Sequence, residues 1–158
     1  MSPEHHAFDR KRLRLEPLES RRHLLDRSGF LPLEPVKPVH EALSQVADRI
    51  KGARNRGASR VLMMGAHVLR DGVQRYLIDL VEKGYISCIA MNGAGVIHDY
   101  EFALIGASTE SVARYIQEGR FGLWEETGQI NEIVKQARDE GLGLGEAMGR
   151  AIDENRLP

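Results

Sequence analysis

The whole 158-residue sequence contains one cysteine, Cys88. It cannot close an internal disulfide, and there is no CxxC pair to hold a metal. An excess of charge of one sign is lacking too: 22 Lys and Arg stand against 23 Asp and Glu, a formal net charge of −1. A near-neutral chain has no bulk electrostatic pull towards phosphate backbones or anionic membranes, so neither nucleic acid nor a membrane is an expected partner. No apolar run approaches the roughly 20 residues that span a bilayer. The opening MSPEHHAFDRKRLRLEPLESRRH is charged and carries no apolar signal core. These absences give the expectation of a cytoplasmic protein. What is present suits a globular domain, with 42% hydrophobic and 28% charged residues in a length that fits one core.

Two regions differ in character. Residues 1–38 read as an extended N-terminal arm, in which Pro3, Pro17, Pro32, Pro35 and Pro38 interrupt any regular element. Acids are interleaved with its basic residues, Arg10 to Arg14 and Arg21 to Arg22. That mixture favours a solvated extension, or an arm docked on a neighbouring subunit, over a nucleic-acid arm. Leu13, Leu15, Leu18, Leu24 and Leu25 can anchor it.

Residues 39–158 read as an α/β domain. Val39, Leu43, Val46, Ala47 and Ile50 fall on one helical face, with Pro38 tolerable at the helix start. Arg60 to Met64 (RVLMM) reads as a short buried strand. Asp71 is expected to cap a second helix, with Gln74 at the capping-box position and Val73, Tyr76, Leu77, Leu80 and Val81 on its inner face. Gly84 suits the left-handed residue that ends it. Ile86 to Met91 (ISCIAM) reads as a second buried strand. Strand, helix and strand in this span make a βαβ unit with parallel strands. Further helices are expected from Asp99, after Ser108 (Val112, Tyr115 and Ile116 inward), from Thr127 to Glu140 and from Leu144 to Asn155. The fold class is therefore α/β: a Rossmann-like parallel sheet with flanking helices and a helix-rich C-terminal part.

Ligands of parallel α/β sheets sit beyond the carboxyl ends of the strands. That rule selects Gly65-Ala66-His67 after the first strand and Met91 to Asp99 (MNGAGVIHD) after the second. Gly93 and Gly95 let the backbone approach a ligand, and the amides around them can cradle a phosphate. The glycine pattern is incomplete, because His98 occupies the third position of GxGxxG. A bare tight turn needs no ligand. His67, His98 and Asp99 can act as metal ligands, although Asp99 has a simpler task as a helix cap and the histidines lack HxxxH spacing. Asn92 can bind a ribose hydroxyl or stabilise the turn. Glu101 can serve as an acid or base, with a solvated helix face as its simpler reading. Cys88, inside a strand, reads as a small buried apolar residue. Trp124 and Phe121 read as core or subunit contact, and the adjacent acids Glu125 and Glu126 need not face one another.

The run GAHVLRDGVQRYLIDLVEKGYISCIAMNGAGVIHDYE, Gly65 to Glu101, resembles the amino-terminal half of the deoxyhypusine synthase family. The resemblance implies a Rossmann-like fold, NAD as cofactor, and a homo-oligomer (dimer or tetramer) with active sites at a subunit interface. It implies a small-molecule substrate, a polyamine or an amino acid. Gly65, Ala66 and His67 would lie over NAD, with Asn92, Gly93, Ala94, Gly95 and Asp99 beside it. The sequence departs from the family where Ile97 and His98 replace carboxylates that hold a cationic polyamine. No residue here matches the family's catalytic lysine; Lys83 and Lys135 sit on solvated faces. His98 is then the nearby acid or base of suitable pKa for NAD-linked amine or amino-acid chemistry, the activity the resemblance implies. The resemblance thus implies a fragment of a longer protein or a shortened relative, not active in the family's reaction alone. A non-catalytic oligomerising module, or a partner of a longer paralogue, is the alternative from another class. A small metal-dependent hydrolase using His67, His98 and Asp99 is the third.

Overall fold

Residues 9–35, 37 and 40–157 are described by the computed structural model. Pro3, Pro38 and Val39, which entered the reading of the arm and the first helix, lie outside them.

The N-terminal segment folds back along its own chain. Glu16 bridges to Trp124, Leu18 is fully buried, and strand β1 (His23–Asp26) follows. This part of the arm therefore docks on its own chain instead of extending into solvent. Of the proposed anchors only Leu18 is buried; Leu25 is half-buried, and Leu13, Leu15 and Leu24 are exposed.

Helix α1 (Glu41–Asn55) is capped by His40, whose Nδ1 accepts from the Ala42 amide at 3.1 Å. Its apolar stripe is scarcely used, since Leu43 and Val46 remain exposed. Strand β2 (Val61–Met64) leads into α2 (His67–Arg70) and α3 (Gln74–Glu82), and β3 (Cys88–Met91) returns parallel to β2. Register runs from Val61 opposite Cys88 to Met64 opposite Met91. The βαβ unit is thus present. Neither strand is buried on both faces, however: Met63 and Val61 are exposed, and so is Cys88. Two paired strands cannot cover one another's faces, so Val61 and Met63 alternate to solvent on β2, while Cys88 and Ile89 are both exposed at the start of β3.

Asp71 does not cap α3. It ends α2 instead, and Gly72 turns with φ +79° before Val73 leads into α3. Gly84 does end α3 in the left-handed conformation, φ +66°. A larger revision concerns the glycine turn. Helix α4 (Gly93–Ile105) starts at Gly93, so Asn92 is the cap and Asp99 lies mid-helix. Asn92 Oδ1 accepts from the Gly95 amide at 3.2 Å, a cap worth about 1 kcal/mol.

Strand β4 (Ala107–Glu110) pairs antiparallel with β1, Leu25 opposite Ser108. It displaces the expected helix start to Ser111, which caps α5 (Val112–Gln117). Tyr115 is buried there, whereas Val112 and Ile116 are exposed, contrary to the inward reading. Helices α6 (Glu125–Glu140) and α7 (Leu144–Glu154) complete the chain. The apolar core gathers on α4 rather than on the parallel sheet. Val96 and Tyr100 pack with Met148, Ile130 and Ile133 on one side, and Leu104 packs against Leu18, Tyr115 and Trp124 on the other. Trp124 is core, with its ring edge-on to Tyr115 at 5.1 Å, while Phe121 is exposed.

Candidate functional site

The carboxyl ends of β2 and β3 open into a hollow of about 470 Å³, lined by Met63, Met64, Gly65, Ala90, Met91 and Asn92. The chain leaves β2 through Gly65 into α2 and leaves β3 through Asn92 into α4, so both selected loops meet here. Gly93 faces open space where a Cβ would stand, and the Gly93 and Ala94 amides have no protein partner among the described residues. Free amides at the start of a helix carry partial positive charge and suit an anion. Gly95 serves packing: a Cβ there would lie 2.7 Å from Met91 Sδ. Ala66 is buried and His67 exposed, its Nε2 3.2 Å from Arg70 Nη1.

His98 stands half-buried on α4, and its Nδ1 lies 2.6 Å from Ser108 Oγ on β4. Burial lowers the ring's basicity; the Glu101 charge opposes this, and the charges of Arg70, Arg21 and His67 add to it.

Asp99 points elsewhere. It lines an apolar cleft of about 660 Å³ with Leu77, Ile78, Ile89 and Phe102, which shares its Met64 and Met91 walls with the first hollow. One step along a helix turns a side chain by about 100°, which separates Asp99 from His98. Desolvation at the cleft raises its pKa, although the residue as a whole is exposed. Among the described residues it has no hydrogen-bond partner. Among the described residues no cluster of three or more His, Cys, Asp or Glu side chains is placed to hold a metal ion, so His67, His98 and Asp99 do not form the ligand set of the hydrolase reading.

The residue that the sequence reading most undervalued is Glu101. Expected on a solvated face, it is only 2% exposed. Arg21 binds it with both terminal nitrogens, at 2.8 and 2.6 Å, and the Ser108 and Thr127 hydroxyls each donate to it at 2.8 Å. Burial pushes this carboxyl up, but the guanidinium and the two hydroxyls outweigh it and hold the pKa below the ordinary value. Periodicity offered one clue: Glu101 follows His98 by three residues, on the same helical side. Arg21, eighty positions away, had no local signal.

No helix among the described residues is long and apolar enough to cross a membrane. No curated protein and no solved structure gives a match to this sequence. A family model does, over residues 44–141, more than half of the chain: arginine dihydrolase ArgZ-like, C-terminal, Rossmann fold. This overturns the deoxyhypusine synthase resemblance, and with it the reading of the chain as a relative of that family's synthases. The features behind that resemblance are an apolar strand, an amphipathic helix, a second strand and a glycine-bearing exit. Any Rossmann βαβ unit needs them, so they mark the fold rather than the family. The matched span runs from within α1 to just past α6, taking in both parallel strands, α4 and Glu101, and on it the chain belongs to the ArgZ-like arginine dihydrolase C-terminal Rossmann family.

Proposed function

We propose that this chain binds a dinucleotide, NAD or a close relative, as the nucleotide-binding part of an arginine dihydrolase-like protein. The observation that carries the proposal is the start of α4. Two amides without a partner among the described residues, at Gly93 and Ala94, directly follow the capping residue Asn92, which lines a hollow at the carboxyl ends of two parallel strands. A pyrophosphate there would take the Gly93 and Ala94 amides and the positive end of a 13-residue helix. Gly65, Ala66 and His67 would form the opposite wall. Asn92 already spends its Oδ1 on the cap, which leaves its Nδ2 to donate to a ribose hydroxyl. Asp99, in the adjoining cleft, would meet the far end of the ligand or a second, cationic small molecule. NAD would supply hydride transfer; His98, on α4 behind the second loop, is the acid–base group this reading assigns. The activity for which the family is named points to an amino acid as the substrate class.

Calorimetric titration with NAD tests this in the unmodified chain and in Gly93→Asp. An acid in the first turn suits the helix, so the variant keeps its fold while repelling a phosphate. Saturable binding lost by at least tenfold in the variant supports the reading. Equal binding by both, or none by either folded protein, contradicts it.

A second reading is favoured by one observation. Met63 is 82% exposed on a two-stranded sheet whose edges are both unpaired among the described residues. Such a flank suits assembly, with another copy or with the rest of a larger protein. Sedimentation of the chain and of Met63→Lys would show a self-associating species only in the former.

A further inference from the structure

Ser108 is wholly buried on β4, between two side chains of α4. Its Oγ lies 2.8 Å from Glu101 Oε2 and 2.6 Å from His98 Nδ1. The hydrogen count at this oxygen has one solution. Glu101 is gripped by both ends of the Arg21 guanidinium, so it is a carboxylate and only accepts. Ser108 has a single hydroxyl hydrogen, and that hydrogen goes to Glu101. The contact on the other side then needs a donor, which is His98 Nδ1–H.

We propose that Glu101 and Ser108 are positioning residues for His98, fixing its ring in the Nδ1–H tautomer and leaving Nε2 bare as a proton acceptor. Three further observations agree. Thr127 and Arg21 complete the acceptor capacity of Glu101, so the carboxylate cannot turn away from Ser108. Ser108 is pinned between Ala107 and Thr109 in a strand whose partner, β1, also carries Leu25 opposite it. Thr109 itself is held at φ +67°, a left-handed conformation that a β-branched residue rarely adopts.

The charged and titratable groups near the ring come from three elements: Glu101 on α4, His67 and Arg70 on α2, and Arg21 in the N-terminal segment. Nδ1 faces β4, so Nε2 leaves the ring on the opposite side, and no described residue hydrogen-bonds it. An orienting carboxylate behind one nitrogen and a free lone pair on the other is the arrangement of a base awaiting an O–H or N–H donor. That use of Nε2 rests on the dinucleotide reading above; the tautomer does not.

Long-range ¹H–¹⁵N spectra of the full chain, labelled at histidine nitrogen, distinguish a protonated ring nitrogen from a bare one. In the unmodified protein above the pKa of His98, the expected pattern is a protonated Nδ1 and a bare Nε2. Ser108→Ala is expected to shift the population towards Nε2–H. An Nε2–H ring in the unmodified protein overturns the proposal, and so does an unchanged tautomer in folded Ser108→Ala. The first measurement needs no substitution, so poor folding of the variant does not shelter the proposal. Addition of NAD then separates the two claims. A shift of the His98 Nε2 signal on saturation supports its facing the ligand, and bound NAD with an unmoved signal removes that role. Failure of NAD to bind overturns the dinucleotide reading and leaves the tautomer result standing.

Discussion

Arg21 and Glu101, eighty residues apart, form a bidentate pair in which both side chains are 2% exposed. The pair fastens the N-terminal segment to α4, and Trp124 lies against the guanidinium, 5.6 Å from ring centroid to Arg21 Cζ. Removing one member of a buried pair leaves an uncompensated charge, which costs about 3–5 kcal/mol. Arg21→Met should therefore lower stability by about that amount, and Glu101→Met likewise. The double variant should recover most of the loss, because no buried charge remains. Urea unfolding followed by the fluorescence of the single tryptophan, Trp124, measures all four proteins. Additive losses in the double variant would show that the two side chains do not act as a pair.

Acid should weaken the fold in two steps. His23 and His98 have folded-state pKa values below the ordinary 6.5, lowered first by burial. The unfolded chain binds more protons than the folded one as pH falls through that value, so their contribution is complete above it and is lost below it. Glu101 follows at lower pH. Its folded value is depressed, so its contribution is present above the ordinary 4.5 and disappears as pH falls through the folded value. Thermal unfolding at a series of pH values should show Tm falling below about 6.5 and falling further below about 4.5. A flat profile between those values would contradict the neutral, half-buried state of the two imidazoles.

Asp99 works in the opposite direction. Its pKa is raised by the apolar cleft and no described side chain pairs with it, so its ionisation opposes folding. For a raised carboxyl the folded chain binds more protons, and stability falls as pH rises from the ordinary value. Asp99→Asn should raise Tm at neutral pH, with the gain vanishing below the carboxylate range. A lower Tm in the variant would reveal a partner for the charge.

Thr109 carries a left-handed φ of +67° and a buried hydroxyl without a partner among the described residues. Glycine adopts that conformation without strain and removes the unpaired oxygen, against a smaller entropic loss and one lost methyl contact. Thr109→Gly should stabilise the chain by about 1 kcal/mol in urea unfolding. Destabilisation would mean that the Thr109 methyl packing outweighs the strain.

Local patterns showed the βαβ unit, the ends of α6 and α7 and the left-handed Gly84 because each depends on residues near in sequence. The start of α4 was misplaced for a local reason as well. Glycines at Gly93 and Gly95 read as a turn, whereas Asn92 caps a helix that tolerates both, one in open space and the other against Met91. Strands β1 and β4 had no such signature. Their sequences, HLLD and ASTE, lack an apolar run, and their pairing joins segments far apart in the chain. Of the candidate site, the two strand-end loops were legible from the rule that places ligands at carboxyl ends. The support behind His98 was not, because Ser108, Thr127 and Arg21 converge on Glu101 only through tertiary packing.

The most direct measurement of the dinucleotide site is a ¹H–¹⁵N amide spectrum of the uniformly labelled chain during titration with NAD. Saturable shifts are expected at the Gly93 and Ala94 amides, accompanied by Gly65 and His67 in the opposite loop. Shifts confined to other parts of the chain, or none at saturating NAD, would contradict that site.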